Sequence, residues 1–211
     1  MRRRTTHLLS ALALLVAPAA AALPLSFQGT LAADDEVDLV TFDVDAPTNV
    51  TLRSFGYAGG TQQDGTVVPA GGFDPILNLF DGTGALIVGN DDGRSEPGLC
   101  AVPSDPASGG PFDACLVVAL EAGSYTVSVS QFDNFPIGDT LSGGFDFSGA
   151  PNFTAEHGCP NGQFCDVLGN DRTNAWAFDV TASDAVPEPA SWAFGLLGAA
   201  GLAWLGRRRP A

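Results

Sequence analysis

The 211 residues include 24 Asp or Glu against 9 Arg, with no Lys, for a formal net charge of −15. Six arginines stand in two terminal triplets, Arg2 to Arg4 and Arg207 to Arg209, so segment 23–184 keeps Arg53, Arg94 and Arg172 against 23 acids, a net −20. Without clustered cations to displace phosphate counterions, nucleic acid is excluded as a partner, and divalent cations are the ligands this charge attracts.

In chain order, residues 1–22 read as a secretory signal: Arg2-Arg3-Arg4 is the charged front, Leu8 to Val16 the apolar run, and Ala20-Ala21-Ala22 a small-residue cleavage site. Beyond it, 26 Gly and 15 Pro with a single Met disfavour a helical protein, while 45% apolar content suffices for a core. Apolar and polar residues alternate in runs bounded by Gly, Pro, Asn and Asp, which predicts strands over 25–31, 37–44 and 49–57. Further strands are predicted over 76–80 and 85–88, joined by the turn Asp81-Gly82-Thr83-Gly84, then over 115–120, 124–131 and 174–180. Tyr125, Val127 and Val129 share one face, as do Trp176, Phe178 and Val180. The expected fold is all-β, an antiparallel β-sandwich or jelly roll occupying 23–184.

Long Gly-rich loops remain at about 58–73, 89–113 and 132–172, and loops of this length are functional or tied down. Cysteine supplies a tie. Four Cys in an exported chain imply two disulfides with three possible pairings. Cys159 and Cys165 flank the turn Pro160-Asn161-Gly162 and close a small loop, which leaves Cys100 and Cys115 to close the other. A zinc site on these thiols is the weaker reading, because only His157 lies near a cysteine.

After the body come Val186-Pro187-Glu188-Pro189, the apolar stretch Ala190 to Gly206, and Arg207-Arg208-Arg209. The stretch sits at the lower limit for a membrane-spanning helix, with the arginines on the cytoplasmic side and the acidic body outside. A Pro-Glu-Pro, a short hydrophobic helix and a basic terminus together resemble the PEP-CTERM sorting signal of Gram-negative bacteria, over 185–211. The resemblance implies that Pro187, Glu188 and Pro189 are read by a membrane processing enzyme of the exosortase type. The precursor would be held in the inner membrane, then delivered to the cell surface or extracellular matrix.

The interior carries a second resemblance. Gly72-Phe73-Asp74-Pro75-Ile76-Leu77-Asn78-Leu79-Phe80-Asp81, Gly84-Ala85-Leu86-Ile87, Asn90-Asp91-Asp92-Gly93 and Leu120-Glu121-Ala122-Gly123-Ser124-Tyr125-Thr126-Val127 are similar to bacterial pre-peptidase C-terminal domains. Those are β-sandwich accessory modules of secreted enzymes, some of which bind calcium or extracellular polymers.

Asn90-Asp91-Asp92-Gly93, with Asp74 and Asp81, is therefore a candidate calcium site, since calcium takes several oxygen ligands from flexible loops. The same residues also suit a plain turn. Asp34-Asp35-Glu36 with Asp38 reads as a solvated turn, and Asp133, Asp166 and Asp171 either join a metal site or keep the surface soluble. No Gly-x-Ser-x-Gly elbow accompanies His157, so an enzyme is not expected. Tyr57, Phe73, Phe132, Phe135, Phe145, Phe147 and Phe153 suit either a sugar-stacking platform or plugs under long loops. The leading expectation is a structural or adhesive surface or matrix protein associated with extracellular polysaccharide. A jelly-roll carbohydrate-binding module and a secreted hydrolase are the alternatives.

Overall fold

The computed structural model describes residues 23–94 and 97–183. Ten strands follow in order: β1 (Leu25–Thr30), β2 (Asp38–Val44), β3 (Thr48–Ser54), β4 (Gly60–Thr61), β5 (Val67–Val68), β6 (Pro75–Phe80), β7 (Leu86–Asn90), β8 (Cys115–Leu120), β9 (Gly123–Gln131) and β10 (Ala175–Ser183). Two four-stranded antiparallel sheets, ordered β1-β10-β3-β8 and β2-β9-β6-β7, form the sandwich, with β4-β5 as a small separate ribbon.

The alternation read from sequence sets which side chains meet between the sheets. Val50, Leu52, Leu116, Trp176, Phe178 and Val180 from one sheet pack against Phe42, Leu77, Leu79, Tyr125, Val127 and Val129 from the other. In β1, Gly29 pairs with Trp176, and a Cβ at Gly29 would stand 2.5 Å from the indole ring. The absent side chain is what gives the indole its place.

Strand β6 is buried on both faces. Leu77 and Leu79 face the core, so Ile76, Asn78 and Phe80 point the other way, and they too are out of water. The segment after β9 returns along the β6–β7 hairpin, with Leu86 N donating to Asp139 O at 2.9 Å and Leu141 N to Gly84 O at 2.8 Å. Part of the 132–172 loop therefore serves as a third layer.

Disulfides join Cys100 to Cys115 and Cys159 to Cys165, with Cα atoms 5.2 and 5.4 Å apart. Strand limits differ from the sequence reading by up to three residues, with β10 running on to Ser183 instead of ending at residue 180. The third strand ends at Ser54 instead of residue 57, because the amides of Tyr57 and Ala58 turn to the Asp113 carboxylate at 3.1 and 2.8 Å. The 58–73 loop contains the β4–β5 hairpin, whose two-residue strands are too short to show alternation. The leader 1–22 lies outside the described residues, as does the sorting tail with Pro187, Glu188, Pro189, Arg207, Arg208 and Arg209.

Candidate metal centre

Antiparallel pairing gathers the acids at one end of the sandwich. Asp74 precedes β6, Asn90-Asp91-Asp92 closes β7, Asp113 precedes β8, and Asp133 follows β9. Asp81 begins the β6–β7 turn at the other end, a six-residue strand away, or about 20 Å at 3.4 Å per residue. Its Oδ1 accepts from Thr83 N, Thr83 Oγ1 and Ala85 N, and these bonds hold its carboxyl below the usual range. Asp81 is thus a turn residue, apart from the other candidate calcium ligands.

Asp74 is 2% exposed, and its Oδ1 has no hydrogen-bond partner among the described residues. Burial pushes its carboxyl well above the ordinary range, and the negative charges of Asp92, Asp91, Asp166 and Asp113 add to the shift. Asp92 Oδ1 is likewise buried without a partner among the described residues, while Asp92 Oδ2 lies 3.6 Å from Arg94. Burial, then Asp91, raises the Asp92 carboxyl against the opposing pull of Arg94. Asp91 Oδ1 accepts from Asp92 N at 2.7 Å. Asn90 fixes the loop to the opposite sheet, its Oδ1 accepting from Cys115 N at 2.8 Å while its Nδ2 donates to Asp92 O at 2.8 Å. Asp74, Asp91 and Asp92 therefore remain as electrostatically coupled carboxylates, two of them with desolvated oxygens that lack a donor among the described residues.

The other buried acids are saturated. Asp113 accepts from Ser54 Oγ at 2.7 Å and from the two amides named above, and burial raises its carboxyl despite them. Asp34 is fully buried, accepting from Phe164 N at 2.7 Å, Thr154 N at 3.1 Å and Thr154 Oγ1. The solvated turn expected at 34–36 is thus a clamp: Asp34 pins the 153–165 segment, and Asp35 Oδ2 accepts from Gly149 N at 2.9 Å. Asp38 Oδ2 accepts from Trp176 Nε1 at 2.7 Å. Asp171 Oδ1 accepts from Asn161 N at 2.8 Å.

Arg172 joins the remaining loops. Its side chain is 5% exposed, with Nε donating to Asp166 Oδ2 at 2.9 Å and Nη2 to Asp105 Oδ2 at 3.1 Å. The guanidinium lies 3.6 Å above the Tyr57 ring centre, and Tyr57 OH donates to Asp166 Oδ2 at 2.7 Å. Burial works to raise the Asp166 carboxyl, but donors from Asn170, Tyr57 and Arg172 outweigh it and hold it below the usual range. Sequence reasoning misses this cluster, since nothing local distinguishes Asp105 from an acid in solvent.

The seven aromatics of the loops are buried or half-buried, and none is exposed. Phe147 stacks on Phe153 at 4.1 Å, Phe73 meets Phe164 at 5.8 Å, and Phe132 packs edge-on against Phe135 at 6.0 Å. They plug the long loops onto the sandwich. With all four cysteines in disulfides, the thiolate zinc reading is corrected.

No match was found among curated proteins. Among solved structures, the chain is similar to the pre-peptidase C-terminal domain of a collagenase from Bacillus anthracis, at 11% identity and a TM-score of 0.35, covering 76% of this chain and 90% of that one. Residues 185–209 match the PEP-CTERM protein-sorting motif. The motif implies an exported, membrane-anchored precursor recognised by an exosortase-type processing enzyme. The chain thus carries, after an all-β body, a PEP-CTERM protein-sorting motif.

Proposed function

We propose that the body is a calcium-loaded structural or adhesive module, without catalytic activity, at the surface or in the extracellular matrix of a Gram-negative bacterium. Extracellular polysaccharide is the partner class in this reading. The observation that carries it is the pair of buried carboxylate oxygens beside Asp91, Asp74 Oδ1 and Asp92 Oδ1, that meet no donor among the described residues. A desolvated carboxylate without a donor is costly, and a hard divalent cation removes that cost with oxygen ligands. Asp74, Asp91 and Asp92 repel one another electrostatically, and calcium held by their carboxylate oxygens would neutralise the charge these loops concentrate.

The test is thermal unfolding of the full chain with and without calcium. Millimolar calcium should raise Tm, and Asp74→Asn should abolish the rise while stabilising the calcium-free protein, because the variant no longer buries a repelled charge. An unchanged Tm at millimolar calcium overturns the metal reading. Surface delivery is tested separately, by locating the secreted form in cell fractions and measuring its retention by the cells' own polysaccharide.

A further inference from the structure

A second donor cluster stands beside the calcium candidate and differs from it in kind. Asp133, Glu156 and His157 each offer one ligand atom, and the three atoms lie within 4.8 Å of one another. His157 Nε2 is out of water with no hydrogen-bond partner among the described residues. It stands 3.6 Å from Asp133 Oδ2, which is too long for a hydrogen bond. It is the right separation for two donors on one ion, since ligands about 2.1 Å from a tetrahedral metal lie about 3.4 Å apart.

Both segments that carry these donors are held in place independently of any ion. Asp133 sits in the tight turn after β9 at φ 73°, a left-handed conformation that Asp tolerates. Its neighbour Asn134 is fully buried, donating through Nδ2 to Asp35 O at 3.2 Å and accepting from Phe147 N at 3.0 Å. Glu156 and His157 end the 3₁₀ turn 153–157, which Asp34 grips through Thr154 and the Cys159–Cys165 disulfide bounds on its other side. The donors are therefore brought together by the fold.

We propose that Asp133, Glu156 and His157 bind a first-row divalent transition ion, zinc being the natural choice, clipping the end of β9 to the 153–157 turn. An imidazole with two carboxylates selects such an ion over calcium, which takes oxygen ligands. The remaining tetrahedral position is left for water. Nothing in this assignment depends on the calcium reading, because it uses none of Asp74, Asp91 or Asp92.

Zinc titration of the full chain against a chromophoric chelator, with cobalt as a spectroscopic substitute, tests it. One tight zinc site per chain is expected, with visible cobalt bands of tetrahedral intensity. His157→Ala should weaken binding by more than the roughly 10–100-fold that loss of a group merely orienting a ligand costs. Glu156→Gln, at an exposed position, should weaken zinc binding with the far-UV circular dichroism unchanged. Asp74→Asn should leave the zinc site intact, so the two metal readings fail separately. Absence of a stoichiometric site in the wild type, or an affinity unaltered in both His157→Ala and Glu156→Gln, overturns the proposal.

Discussion

Replacing Arg172 by Met tests how far the loops depend on one cation. Met keeps an apolar stem of similar reach, so the change removes charge and hydrogen bonds more than packing. Asp105 and Asp166, 2% and 1% exposed, lose donors at 3.1 and 2.9 Å. Breaking one side of a buried ion pair typically costs 3–5 kcal/mol, and a desolvated cation over an aromatic ring adds about 2 kcal/mol. Against this, Asp166 keeps Tyr57 OH, Leu168 N and Asn170 N, while Asp105 keeps Ser108 N and Oγ. We therefore expect about 4 kcal/mol lost at pH 7, a large part of the 5–15 kcal/mol by which domains are stable. Urea unfolding followed by tryptophan fluorescence measures it. Lowering the pH through the carboxylate range should shrink the difference from wild type, because protonation removes the uncompensated charge. Adding Asp105→Asn to the variant should recover part of the loss, as a coupling of about 0.5–3 kcal/mol. A loss below about 1 kcal/mol, the scale of an exposed ion pair, would refute the reasoning.

The remaining predictions rest on single features. Burial raises the Tyr57 hydroxyl to about 12, so the folded chain keeps a proton that the unfolded chain sheds near 10. The resulting stability is fully present below pH 10 and disappears between pH 10 and 12, a loss that unfolding curves should show in the wild type and lack in Tyr57→Phe. Opening the Cys100–Cys115 bridge, with sequence separation 15, should remove about 3 kcal/mol, and opening Cys159–Cys165, with separation 6, about 2 kcal/mol, on the loop-closure model. Equilibrium unfolding of the two double Cys→Ala variants checks the order. A Cβ at Gly72 would stand 2.5 Å from Ala175 O and 2.7 Å from Gly56 O, both backbone atoms, so Gly72→Ala should cost about 1–3 kcal/mol of overpacking in the same assay. Mass spectrometry of the secreted protein should find residues beyond the Pro187-Glu188-Pro189 region removed, and replacing Glu188 by Ala should leave the tail intact.

What is legible in the sequence follows from the range of each signal. Strand alternation is a local property imposed by the pleat, so β8 falls at its predicted limits and β2 and β6 within one residue of theirs. The C-terminal sorting motif is equally plain, being a local compositional pattern. The β4–β5 ribbon escapes because its pairing is two residues deep, and the end of β3 escapes because its cause is Asp113, 59 positions beyond Ser54. The clamps at Asp34, Asp105, Asp113 and Asp166 are illegible for the same reason: the partner that separates a buried clamp from a solvated turn lies tens of residues away.

That distinction also gives the net charge its physical meaning. A body with 23 acids and three arginines suggests self-repulsion at a solvated surface, yet Asp34, Asp74, Asp105, Asp113, Asp166 and Asp179 are buried. Long loops without regular pairing leave backbone amides in need of acceptors, and a carboxylate can serve two or three at once. Asp34, Asp113 and Asp166 do this, and Asp179 takes Gln63 N at 2.9 Å and Gln62 Nε2 at 3.2 Å. Aspartate thus supplies in these loops the acceptors that neighbouring strands supply in the sheets. Asp74 breaks the pattern: it is as buried as the others, yet its Oδ1 meets no donor among the described residues and its neighbours are Asp91 and Asp92. At Oδ1 this carboxylate gains nothing from the loop amides, and that cost is the one the proposed calcium ion would remove. Removing the Asp74 charge should therefore strengthen the calcium-free protein, whereas removing that of Asp34 or Asp113 should weaken it by leaving several buried amides without an acceptor.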